Sequence, residues 1–242
     1  MIRLGVRGLL ATAALAAATT MTASGDGPTV TLGISADGNS QSQNLNGSST
    51  ADPVVFNYQG SLLGGAGDWL LSWNFNASNN ANGGTQAFTA GNYVIQNLSS
   101  EAISFEFTVS LPTALVGRTL YGGSVSGGLT TSGPGFIADK DTALWTGSSG
   151  ANSIASLFNN PFGVIRTEAG SSSLGFESFG EPIPSLAGPD LGSDLTITLR
   201  FLLGANSSAS FTSVFVAAVP GPGAMALLGL GGLVAGTRRR RA

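Results

Sequence analysis

Cysteine and histidine are both missing from the 242 residues, and only 10% of the chain is charged. Without cysteine there is no disulfide, no thiolate metal site and no thiol nucleophile. Without histidine the commonest general base and transition-metal ligand is gone. Lysine occurs once, at Lys140, so the many Ser and Thr hydroxyls lack a base to activate them. Cations are few and sit at the ends: Arg3 and Arg7 at one, Arg238 to Arg241 at the other. Between them stand only Arg118, Lys140, Arg166 and Arg200 against thirteen acids, a middle with nine net negative charges. Such a surface repels phosphate backbones. The absences point to a protein that is not an enzyme, takes no cofactor and binds no nucleic acid.

The two ends have their own layout. Residues 1–24 place two arginines before an uncharged run from Gly8 to Ala18, then small residues up to Ser24. That is the three-part order of a secretory signal peptide, and its apolar run is too short for a stable span. Residues 219–242 begin Val219-Pro220-Gly221-Pro222, continue with the apolar segment Ala224 to Gly236, and close on Arg238, Arg239, Arg240 and Arg241. Two prolines one residue apart stop helix and strand alike. Glycine is tolerated in a membrane helix more than in a soluble one, and a terminal arginine cluster stays on the cytoplasmic side. The segment falls short of the ~20 residues of a full span, so a transmembrane helix here draws on its flanks.

Motif, apolar helix and arginines in this order resemble the PEP-CTERM sorting signal of exported bacterial proteins. Val219, Pro220, Pro222 and Arg238 to Arg241 match it, with Gly221 where that family carries Glu. The resemblance implies export through the Sec translocon and transient residence in the inner membrane. It further implies processing by exosortase, a membrane protease, and delivery to the cell surface or exopolysaccharide matrix. The alternative is a plain membrane anchor that no protease removes. Asn92 to Asn97, Ser104 to Pro112 and Ser207 to Thr212 are also similar in style to the extracellular parts of such proteins.

Residues 25–218 alternate apolar and polar side chains in short runs, the period of a half-buried strand. Trp69, Leu71, Trp73 and Phe75 share one face, as do Ile103, Phe105, Phe107, Val109 and Leu111. Leu195, Ile197, Leu199, Phe201 and Leu203 repeat the pattern, with shorter stripes at Val30 to Ile34 and Val54 to Tyr58. Further strands are expected over 91–98 and 209–217. Gly, Asn and Ser clusters separate the runs, and Leu157 to Pro161 reads as a short helical turn in a long connection. Ten or so strands predict an all-β domain, an antiparallel β-sandwich of jelly-roll-like form.

Within it, Asp139 and Asp141 put two carboxylates on one side of an extended segment, a possible share of a calcium site, and Asp37-Gly38-Asn39 is a second such loop. Both also read as solvated turns. Glu177 with Glu181, or Glu101 with Glu106, are the pairs a glycosidase would need, but nothing in the sequence spaces them for it. Trp69 and Trp73 share their face with Leu71 and Phe75 and belong to the core. Trp145 stands beside a Gly/Ser loop and is the tryptophan expected to face solvent and stack on a sugar ring. The reading is therefore an exported structural or interaction protein of the surface or matrix. The alternative is a secreted module that binds extracellular polysaccharide, with a hydrolase behind both.

Overall fold

The computed structural model describes residues 27–79, 85–113 and 117–220. The expected signal peptide, Gly221, Pro222, the apolar C-terminal segment and Arg238 to Arg241 lie outside the described residues. Among the described residues there are sixteen strands and no helix, hence none long and apolar enough to cross a membrane. All pairings are antiparallel, in two sheets of eight strands. Numbered in chain order, the first sheet runs β11 (Asn152–Leu157), β10 (Trp145–Ser149), β15 (Asp194–Leu203), β7 (Ile103–Pro112), β1 (Thr29–Ala36) and β2 (Asn39–Asn46). Beyond β10, β9 (Gly135–Asp139) pairs the far end of β15 and carries β12 (Gly163–Arg166). The second sheet runs β13 (Gly170–Phe179), β8 (Thr119–Thr131), β16 (Ser207–Ala218), β6 (Gln86–Asn97), β5 (Trp69–Ser78), β4 (Phe56–Leu63) and β3 (Ser48–Ser49). There β14 (Leu186–Gly188) continues the β13 edge along β8.

The alternating stripes do what their period requires. Every apolar residue of the 69–75, 103–111 and 195–203 stripes is buried, as are Val30, Leu32 and Ile34. Rings from the two sheets meet between the layers: Trp69 on Phe105 at 6.4 Å, Tyr93 on Phe107 at 5.0 Å, Phe201 on Phe211 at 5.3 Å. Two antiparallel layers sharing one core are the arrangement of a β-sandwich.

One expectation changes. The 147–162 connection is a β10–β11 hairpin closed at Gly150, rather than a loop with a helical turn. Phe158 adopts φ 51° and stacks on Phe162 at 4.7 Å, so the chain turns into the core there instead of coiling. The longest strand, β8, falls in the glycine-rich stretch TLYGGSVSGGLTT. Its glycines admit neighbouring rings: a Cβ at Gly127 would lie 3.2 Å from the Phe211 ring and 2.7 Å from the Ser210 carbonyl. Asp37-Gly38 is the two-residue turn of the β1–β2 hairpin, both residues at positive φ. That is the backbone an Asp-Gly turn of the primed type demands.

The two long sides of the sandwich differ. On one, Phe158 N–H donates to Glu177 Oε2 at 2.6 Å, and Arg166 Nη1 donates to Ser171 O at 2.9 Å and Ser172 Oγ at 2.8 Å. These bonds tie the first sheet's margin to β13. On the other, the chain steps from β2 through two-residue β3 into β4, and among the described residues β2 pairs only with β1.

Burial also sets an alkaline limit. Tyr93 Oη is buried with no partner, and Tyr58 Oη donates to Pro28 O at 2.5 Å. Burial pushes both phenols well above their ordinary value of about 10. A group whose folded pKa is raised contributes fully below its unfolded pKa and loses that contribution as pH rises above it. Stability is therefore expected to hold to pH ~10, then fall by up to about 1.4 kcal/mol per pH unit for each tyrosine. Urea unfolding at pH 9, 10 and 11 measures the slope. The double variant Tyr58→Phe, Tyr93→Phe should flatten it, and an unchanged slope in that variant refutes the assignment.

Candidate functional site

Strands β3, β4, β5, β6, β8, β14 and β16 contain no charged residue. In β13 the one charged residue is Glu177, which pairs with inward-facing Val125 and caps Phe158 N–H. These strands therefore put no charged side chain on the sheet's outer face, although residues 27–220 hold twelve acids against four cations. The carboxylate that reaches it is Glu181, bonded to the Ser178 hydroxyl at the β13 edge.

Register places what is there in rows. Directly paired residues share a face. One row reads Gln59, Asn74, Asn92, Thr212, Ser126 and Phe176 across six strands. At the usual strand spacing it is about 24 Å long. Beside it runs Asn57, Asn76, Ala90, Val214, Ser124 and Ser178. Asn57 Nδ2 donates to both Asn74 Oδ1 and Asn76 Oδ1 at 3.0 Å, and Thr212 Oγ1 donates to Asn92 Oδ1 at 2.7 Å. These bonds occupy the acceptors and fix the amides, leaving N–H donors along an exposed neutral strip.

Phe176 closes the row and is 64% exposed, an unusual place for a phenylalanine. The cause is the bulge between Ser173 and Gly175, where Leu174 has no partner on β8. One inserted residue turns the alternation over, so Leu174 is buried and Phe176 faces out. A flat ring beside fixed amides and hydroxyls can stack on an apolar sugar face while its neighbours bond the sugar hydroxyls.

Trp145, expected to face solvent, does not. It is fully buried, packs edge-on against Phe215 at 5.7 Å, and donates Nε1–H to Ser213 Oγ at 2.8 Å. Its Gly/Ser neighbours belong to a strand, and Gly147 leaves room for the indole rather than for a loop. Trp69 and Trp73 are core residues, as their stripe implied. Asp139 is partly buried at the end of β9, while Asp141 is exposed in the following turn at φ 61°. No group of three metal-ligating side chains gathers there or elsewhere among the described residues. Asp37 Oδ1 accepts from Ser104 N–H at 2.9 Å, which fixes the hairpin to β7.

The carboxylate pairs are committed separately. Glu106 pairs with Arg200 at 2.8 Å, Glu177 with Phe158 N–H, and Glu181 accepts from the Ser178 hydroxyl. Val219 and Pro220 follow directly on β16, with Val219 N–H donating to Thr85 O at 2.8 Å.

No family model and no curated protein matches the chain. Among solved structures, a match that covers 61% of this chain and 86% of the other is a carbohydrate-binding module, TmCBM61 in complex with β-1,4-galactotriose. At 13% identity and a TM-score of 0.25, that likeness is too distant to bear on ligand or mechanism.

Proposed function

We propose that this chain is a non-catalytic exported protein whose β-sandwich binds neutral polysaccharide at the cell surface or in the surrounding matrix. One observation carries the ligand class: the strands of the second sheet present amides, hydroxyls and one exposed ring outward, with no charged side chain of their own, on a domain that is otherwise acidic. Neutral hydroxyls are good partners for fixed amide N–H groups. Acidic polymers are repelled by the surrounding carboxylates, and a neutral strip gives them no cation to pair with.

Affinity electrophoresis in gels cast with a neutral glucan, a neutral galactan or an acidic alginate tests the ligand class. Retardation is expected with a neutral polymer only. Phe176→Ala should weaken it about tenfold, the loss of an interface anchor worth ~1.4 kcal/mol. Asn92→Asp should weaken it while leaving the fold intact, since Asn92 is exposed. Equal retardation by alginate, or none by any neutral polymer, overturns the reading.

Export rests on the resemblance of the two ends. In this proposal Arg238 to Arg241 hold the tail at the inner membrane after Sec translocation, and exosortase cuts near Val219-Pro220-Gly221-Pro222. Mass spectrometry of the surface form is expected to find a C-terminus upstream of the arginines. A terminus at Ala242 there would leave a permanent anchor instead.

A further inference from the structure

The sandwich margins are protected unequally, and among the described residues the longest uninterrupted open edge is β2. A strand at a sheet edge exposes unpaired N–H and C=O groups, and proteins blunt such edges with short strands, charges, prolines, bulges or cover. Strand β11 carries a register break against β10, and β13 carries the Ser173/Gly175 bulge. Strand β12 has four residues and ends at Arg166, whose guanidinium is bonded to the β13 side. Strands β14 and β3 have three residues and two, and β3 covers only Phe56 and Asn57, so six residues of β4 form a shorter open edge.

Strand β2 has none of these devices. Its eight residues, NSQSQNLN, pair with β1 without interruption from Thr29↔Asn46 to Ala36↔Asn39. There is no charge, no proline and no bulge, and all but Gln41 and Leu45 are exposed. Its other edge has no strand beside it among the described residues.

We propose that β2 is the site of homotypic association: two copies of this chain join edge to edge by antiparallel β2–β2 pairing, making one continuous sheet across the pair. The occupant follows from charge. Two copies of an acidic domain repel over most of their surface, and this edge is an uncharged strip where both can approach. The contact is also self-complementary, because a two-fold axis at Ser42 sets Ser42 against itself and Gln41 against Gln43. Asparagine and glutamine in stacked strands bond each other well.

The chain has no cysteine, which makes the test direct. In the full-length protein in detergent, single variants Ser40→Cys, Ser42→Cys, Asn44→Cys and Asn46→Cys are oxidised and compared with Ser61→Cys and Ser173→Cys on the other sheet. Antiparallel pairing about a two-fold axis brings one β2 position against itself at a Cα separation a disulfide accepts. One β2 variant, or two neighbours, should give mostly covalent dimer while the controls stay monomeric. Independently, Ser42→Lys with Asn44→Lys should raise the dimer dissociation constant about tenfold by setting like charges opposite each other. Circular dichroism checks that this variant keeps its sheet content, and Ser42→Thr with Asn44→Thr should keep the dimer. Uniform cross-linking at all six positions, or monomer mass for the unmodified chain at every concentration, overturns the proposal.

Discussion

Trp145→Ala is expected to lower the unfolding free energy by about 3 to 5 kcal/mol, the usual cost of emptying a large aromatic site. The indole lies between the layers on β10, with Phe215 at 5.7 Å and Phe179 at 5.9 Å. Its Nε1–H reaches across to Ser213 Oγ on β16, a buried hydrogen bond between the two sheets. Backbone shape commits the site as well. A Cβ on Gly147 would fall 2.6 Å from the indole and 3.0 Å from Phe215, so the strand is cut away to admit the ring. Alanine at 145 loses the ring's burial, strands the Ser213 hydroxyl and leaves a cavity the sheets are too rigid to close.

Smaller changes separate these causes. Ser213→Ala removes only the acceptor and should cost about 1 to 3 kcal/mol, because an indole N–H is left buried and unpaired. Trp145→Phe in that background should cost less than in the parent, since the unpaired donor goes with it. Urea unfolding curves measure all four chains. A loss under ~1 kcal/mol for Trp145→Ala would mean that the ring is not a core element. The same variant set addresses sugar binding: if polysaccharide affinity falls with Trp145→Phe while stability does not, the indole meets ligand after all.

This residue shows how far sequence alone reaches. Strands whose inward positions are all apolar, such as 103–111 and 195–203, declare their face by period, and the fold class follows from several of them. Trp145 is preceded by buried Leu144 and followed by Thr, Gly and Ser, so no alternation marks its face. Strand β8 is illegible for a related reason. Its glycines answer to rings such as Phe211 that are distant in sequence, and composition alone makes the stretch read as a loop. Phe176 depends on a one-residue bulge, which flips a face without leaving a compositional mark. The scarcity of charge was plain in the sequence. That the charge-free strands form one sheet, with its outer face open to solvent, required the register.

Asn97 gives the second large effect, and one with a pH signature. It ends β6 and is 1% exposed. Its Nδ2 donates to Glu101 O at 2.7 Å, Leu203 O at 3.0 Å and Gly204 O at 3.1 Å. Its Oδ1 accepts from Ser99 N–H at 2.9 Å and Ser99 Oγ at 2.8 Å. One amide thus satisfies the turn after β6 and the end of β15, joining the two sheets at one corner. Two N–H groups serve three carbonyls, so one bond is shared.

Asn97→Ala should cost about 2 kcal/mol or more, from stranding these backbone groups. Asn97→Asp should cost more, about 3 to 5 kcal/mol at pH 7, because a buried ionised carboxylate would face three backbone carbonyl oxygens. Those same oxygens favour the protonated acid, whose O–H can donate, and hold its folded pKa above the unfolded value of about 3.9. The sign follows. The penalty is absent below the unfolded pKa and grows as pH rises through the folded one. Relative to Asn97→Ala, the aspartate variant should therefore recover on acidification from pH 7 to pH 4. Thermal unfolding of both variants at the two pH values makes the comparison. If Asn97→Asp matches Asn97→Ala at pH 7 and gains nothing at pH 4, the side chain is not the buried donor that joins β6 to β15.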